Sequence, residues 1–183
     1  MADLTYIGLL RGVNVGRSVR VAMADLRTLV EALGYRDVRT ILNSGNVVFT
    51  GPRGPTARVA AQVELALARH VGAPVRVIVL TAPELAAAVA ANPLVKIAPD
   101  PSRLVIAAPS NAKDLTRLNP LLERDWAPEA LASGPRVAYF WCPNGFAESP
   151  VAEAVLRAFG DAVTMRNWAT VGKLLALSVA KRP

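Results

Sequence analysis

One ordering of signals constrains this chain more than its composition does. Across residues 4–91, the patterns of strand, helix, strand, strand, helix and strand follow in turn. Residues 4–10 are a short apolar run, which reads as a buried strand. Met23, Leu26, Leu29, Val30 and Leu33 then recur at helical spacing. Asp25 suits the positive end of that helix, and Gly34 ends it. Residues 37–42 and 47–50 read as two strands around Asn43, Ser44, Gly45 and Asn46. Asparagine and glycine accept the positive φ of a tight turn, so this predicts a hairpin. Thr56 stands where it can cap a helix carrying Val59, Val63, Leu67 and Val71. Residues 75–80 form another apolar strand, and Thr81 with Glu84 has the spacing of a capping box that opens a short helix. The order predicts an α+β lobe of the ferredoxin-like, split βαβ type, βαββαβ plus a helix. One antiparallel sheet carries two helices on one face.

Residues 92–102 are proline-rich and break the periodicity. The expected organisation is an N-terminal lobe at 1–92, a connection at 93–102 and a related α+β lobe at 103–183. In that second part a strand is expected at 103–108 and a helical stretch at 114–122, interrupted by Pro120. A strand follows at 137–141, a turn at 142–145, a helix at 148–159 and a strand at 162–165. Asn167 can cap a last helix with Trp168, Val171, Leu174 and Leu175 on one face. The element order echoes that of the first lobe, without a residue-level repeat.

Composition then removes function classes. Hydrophobic residues make up 52% of the 183, enough for a core, and no apolar run reaches the roughly 18–20 residues of a membrane span. The first residues lack the basic and apolar regions of a secretion signal, so a cytoplasmic protein with no membrane partner is expected. A single cysteine, Cys142, and a single histidine, His70, permit no internal disulfide and no ordinary zinc set. No metal and no cofactor is expected, and a Ser-His or Cys-His site would depend on His70 alone. The net charge of +7 fits nucleic acid or another anionic partner, but the arginine-rich surface that a GC-rich genome encodes accounts for it better.

Several short segments, taken in order, resemble a known family. Tyr6-Ile-Gly-Leu-Leu-Arg-Gly-Val-Asn-Val-Gly16 is followed by Met23-Ala-Asp-Leu-Arg27, Leu33-Gly34 and Leu42-Asn-Ser-Gly-Asn-Val-Val-Phe49. Thr164-Met-Arg-Asn-Trp168 and Lys173-Leu-Leu175 come near the end. The chain resembles the bacterial domain-of-unknown-function family 1697 over nearly its whole length. The resemblance implies a two-lobed α+β fold and no particular activity. Its signature positions fall here on Arg11, Gly12, Asn14, Gly16, Asn43, Ser44, Gly45, Asn46, Arg166, Asn167 and Trp168. The stretch Arg17-Ser-Val-Arg20 departs from the family's glycine- and lysine-rich form.

Two readings attach to each candidate. The loop at 12–21 can present backbone N–H groups and the guanidinium groups of Arg11, Arg17 and Arg20 to an anion, or it can be a structural turn. It carries neither a Walker loop nor a dinucleotide fingerprint. The amides of Asn43 and Asn46 can read a ligand, or serve only the turn. Ser44 can be a nucleophile only beside a base such as His70 or Lys173. Arg166 and Trp168 can line a cleft together with the N-terminal loops, or Asn167 can simply cap a helix while Trp168 packs. The expected function is binding of a small anionic metabolite or nucleotide. The alternatives are nucleic-acid binding, for which Tyr6 and Phe49 are the sheet aromatics, and a protein-interaction module. Whether the chain is an enzyme stays open.

Overall fold

The computed structural model describes residues 3–16 and 18–180. Its elements are β1 (Asp3–Leu10), α1 (Met23–Ala32), β2 (Arg36–Ile41), β3 (Asn46–Pro52), α2 (Thr56–Val71), β4 (Val77–Thr81) and α3 (Ala82–Ala90). Then come β5 (Leu104–Pro109), α4 (Asn119–Leu122), β6 (Ala130–Ser133), β7 (Ala138–Trp141), α5 (Pro150–Phe159), β8 (Val163–Asn167) and α6 (Trp168–Val179). They make a mixed α+β protein with two four-stranded antiparallel sheets. The chain divides into two compact units, Met1–Pro83 with Lys173–Pro183, and Glu84–Gly172.

In the first unit the strands lie in the order β2-β3-β1-β4. β1 and β2 run parallel with β3 between them, which is the split βαβ arrangement that the sequence order predicts. Alternation along each strand sorts the side chains onto two faces. Tyr6, Leu10, Val47, Phe49, Val77 and Val79 meet Leu26 and Val30 of α1 and Val59, Val63 and Leu67 of α2 in one core. The opposite face is also closed to solvent, with Ile7, Leu9, Val48, Ile78 and Leu80 all buried. The end of α6 contributes to it. Arg39 Nη2, on β2, donates 2.8 Å to the carbonyl of Leu177. The sequence assigned helices to one face only, because nothing local marks a helix from the far end of the chain as part of this unit.

The second unit repeats the strand order, β6-β7-β5-β8. One face packs Val105, Ala107, Phe140 and Val163 against Leu118 and against Val151, Val155 and Phe159 of α5. α3 lies on the other side, where the Tyr139 hydroxyl donates 2.8 Å to the carbonyl of Ala88. Arg136, nearly buried, donates to the carbonyl of Pro109 at 2.8 Å and lies 3.5 Å from Glu84. Burial pulls its pKa down, and Glu84 works against that fall.

Local expectations changed in four places. Thr56 does not cap α2. Pro55 occupies the cap position, and no side chain bonds the helix start. Pro120 does not interrupt a helix but opens α4, after a 3-10 stretch at Ala112–Leu118. Proline suits a first turn because its missing N–H is not needed there. β6 was not expected, being four residues with little alternation. Asn46 belongs to β3 rather than to the turn. No described helix is long and apolar enough to cross a membrane.

Candidate functional site

β1 delivers the chain into the 11–18 loop, and the β2–β3 turn lies against it. Three residues of the loop take positive φ: Gly12 at 61°, Asn14 at 58° and Gly16 at 52°. Asparagine is among the few non-glycine residues that adopt this region readily. Asn14 is also the clamp of the site. Its Nδ2 donates 2.8 Å to the carbonyl of Val21 and 2.7 Å to that of Asn43, while its Oδ1 accepts from the Val21 N–H at 2.9 Å. One side chain therefore closes its own loop and ties it to the neighbouring turn. The Asn14 N–H donates to Val19 O at 3.0 Å, and the Val15 N–H donates to Ser18 Oγ at 2.9 Å.

The turn spans residues 42–45, and its positive φ angles fall on Leu42 (57°) and Gly45 (75°), not on the asparagines. Gly45 is required by packing as well. A Cβ there would meet Leu10 Cβ at 2.5 Å and Val13 Cγ2 at 2.8 Å. The Gly45 carbonyl accepts from the Leu10 N–H at 2.8 Å, so turn and strand end are joined at the backbone. Asn46 is fully buried, and its Nδ2 donates to Ile41 O at 3.0 Å and Ser44 Oγ at 2.9 Å. The amides of Asn14 and Asn46 thus hold the platform together. What faces outward is different: Val15 is 67% exposed and Leu42 48%. Neither was singled out in the sequence, where an exposed aliphatic residue looks like any other. Arg20 Nη2 donates to the Gly16 carbonyl at 3.0 Å, and Arg11 is half-buried at the loop base. Arg17 lies outside the described residues.

His70, a base considered for Ser44, has its Nε2 3.1 Å from Asp25 Oδ2, joining the end of α2 to the start of α1. Lys173 is exposed on α6. Tyr6 and Phe49 are fully buried, their ring centroids 5.7 Å apart, with Tyr35 4.7 Å from Phe49. They face the helices, so neither ring offers a stacking surface to a nucleobase.

A model of the family described as protein of unknown function (DUF1697) matches residues 4–139. The chain belongs to this family. A structural match to the conserved bacterial protein SP0830 from Streptococcus pneumoniae has a TM-score of 0.79 at 24% identity. It covers 96% of this chain and 99% of that one. At that identity the likeness speaks to the fold. No curated protein matches in sequence.

The remaining candidates of this DUF1697 protein lie on the second unit. Asn167 Oδ1 accepts from the Thr170 N–H at 2.9 Å, an N-cap bond at the start of α6. Trp168 is half-buried at the first position of that helix. Arg166 pairs with Ile106 across the sheet, on the same face as Tyr139. Its Nη1 donates to Thr164 Oγ1 at 3.0 Å and to the Met165 carbonyl at 2.7 Å. Desolvation lowers its pKa to about 10.

Proposed function

We propose that the first unit binds a small anionic ligand on the platform formed by the 11–18 loop and the 42–45 turn. The observation that carries this reading is the alternation of handedness at Gly12, Asn14 and Gly16. Such alternation turns backbone N–H groups toward one side in anion-binding nests; here those of Asn14 and Val15 are spent on Val19 O and Ser18 Oγ, which leaves the N–H groups of Gly12 and Gly16 for a ligand. The N–H groups of Gly12 and Gly16 have no acceptor among the described residues. Both glycines are exposed, and a Cβ at either would meet no described residue within 4 Å apart from its chain neighbours. Arg11 and Arg20 add positive charge at the loop's two ends. Asn14 is what makes the loop rigid before any ligand arrives, so the ordering cost of binding is small. Asn14, Asn46 and Asn167 take architectural roles in this reading, and Ser44, Arg166 and Trp168 carry no part of it.

The test is an amide-resolved NMR titration with inorganic phosphate and with adenosine monophosphate. Saturable shifts at Gly12 and Gly16 are expected, and Arg20→Glu should weaken binding by about tenfold, the effect of reversing one charge-assisted contact. If no amide between residues 11 and 20 responds to either probe, the reading fails.

A second reading has its own support. Val15 and Leu42 are large, exposed and adjacent in sequence to the bonded pair Asn14 and Asn43. Two aliphatic side chains on a rigid platform also suit a protein partner. Val15→Ser combined with Leu42→Asn, which removes the apolar surface without adding charge, would abolish such an association while leaving phosphate binding in place.

A further inference from the structure

Away from that platform, the first unit has a cleft of 260 Å³ where α1 ends, β3 ends and α2 begins. Its walls are held firmly. Tyr35 lies so close over Gly51 that a Cβ there would clash with its ring, and its hydroxyl donates to Gln62 Oε1 at 2.9 Å. The Tyr6 hydroxyl fixes the floor, donating to Pro52 O and accepting from the Gly54 N–H, both at 2.8 Å.

The cleft's charge is one-sided. Arg53 and Arg58 line it, and no aspartate or glutamate does. Two other clefts of the same unit differ. One sets Arg27 and Arg39 beside Glu31 and Asp37, and the other sets Arg39 beside Asp37. Elsewhere in the unit, Arg36 and Arg76 are paired with Asp3 and Glu64. Arg53 and Arg58 have no acidic partner among the described residues. Burial raises the Tyr35 pKa, and Arg58 opposes that rise, so the guanidinium lies within electrostatic reach of the phenol.

The start of α2 borders the cleft through Pro55, Arg58 and Val59. This helix of 16 residues opens at Pro55 with no side-chain cap and no acid in its first turn. Arg58 and Val59 donate back to the Pro55 carbonyl, whereas the N–H groups of Thr56 and Ala57 have no acceptor among the described residues. A long helix with an unsatisfied positive end, two unpaired guanidinium groups and an acid-free cleft favour the same ligand charge.

We propose that this cleft is a second anion site, taking a small phosphate monoester whose organic group is flat and apolar. The phosphate meets Arg53 and Arg58, and the organic group lies against Tyr35 and Leu33. The volume is below the roughly 300–1,000 Å³ of pockets for drug-sized ligands, which sets the size class. The inference is independent of the platform reading.

The test uses the full, isotope-labelled chain titrated with phenyl phosphate and, separately, with inorganic phosphate, against potassium chloride at matched ionic strength. Saturable shifts at Gly54, Arg58 and the Gln62 side-chain amide are expected, with phenyl phosphate binding more tightly than inorganic phosphate. The double variant Arg53→Ala, Arg58→Ala should weaken binding at least about tenfold, through loss of two charge-assisted hydrogen bonds. Both arginines are exposed, so its circular dichroism and unfolding midpoint should match the wild type. Shifts that do not saturate, shifts equalled by chloride, or undiminished binding by the double variant overturn the proposal. Gly12 and Gly16 report separately on the platform, so each failure is read at its own amides.

Discussion

Replacing Asn14 tests whether one side chain holds the platform together. It makes three hydrogen bonds, two to Val21 and one to the carbonyl of Asn43. The Val21 groups are partly buried, so each lost bond there costs about 1 kcal/mol. Asn43 is exposed and water can replace part of the third, which gives a total of about 2–3 kcal/mol. Asn14→Gly keeps the backbone at ease with φ of 58° and should show this loss alone. Asn14→Ala should cost about 1 kcal/mol more, because a Cβ disfavours the left-handed region. Asn14→Asp retains the acceptor but sets a carboxylate oxygen against two carbonyls, so it should be at least as unstable as the glycine variant at pH 7. Those carbonyls raise the folded pKa of the introduced acid. A raised pKa means that the favourable contribution is complete below the unfolded value of about 3.9 and is lost as pH rises through the folded value. The Asp variant should therefore approach wild-type stability on acidification while the glycine variant does not. Urea unfolding supplies the free energies, and hydrogen exchange of β1 and β3 amides assigns them to the first unit. A glycine variant within about 0.5 kcal/mol of wild type, the spread of ordinary surface changes, would refute the clamp.

Three further outcomes follow from the same geometry. Gly45→Ala meets Leu10 and Val13 as well as an unfavourable φ, whereas Gly12→Ala meets only the φ. In urea titrations the first should cost about 2–4 kcal/mol and the second about 1. Tyr139→Phe leaves the Ala88 carbonyl without its 2.8 Å donor and should cost about 1–2 kcal/mol, with faster hydrogen exchange in α3. Arg166 should titrate near 10, visible by carbon NMR of its guanidinium. Because that folded pKa lies below the unfolded one, its contribution to stability is full only above the unfolded value and declines as pH falls toward 10. It is flat below that, so no pH dependence from this group is expected between 6 and 9.

The sequence alone determined the elements of this protein and, through them, the sheet. Apolar spacing marks β1, α1, α2 and β4 because burying one face of each element is what makes it stable. The order βαββαβ then leaves few ways to pair the strands, since a hairpin joins neighbours and a crossover skips one. The loop 11–18 was legible for the same local reason, as Gly12, Asn14 and Gly16 are residue types that accept positive φ. β6 was not legible, because four residues of mixed pattern become a strand only where β7 offers an edge. Tertiary structure decided which polar atoms are in use. Nothing near Asn14 in sequence announces that its amide bonds the carbonyl of Asn43, or that Asn46 is buried beneath its own turn. Nothing local says that Tyr6 and Phe49 face helices, or that α6 reaches Arg39 from the other end of the chain. Periodicity encodes burial because it is a property of one segment. Hydrogen-bond satisfaction belongs to pairs of segments distant in sequence, and only the assembled fold brings those pairs together.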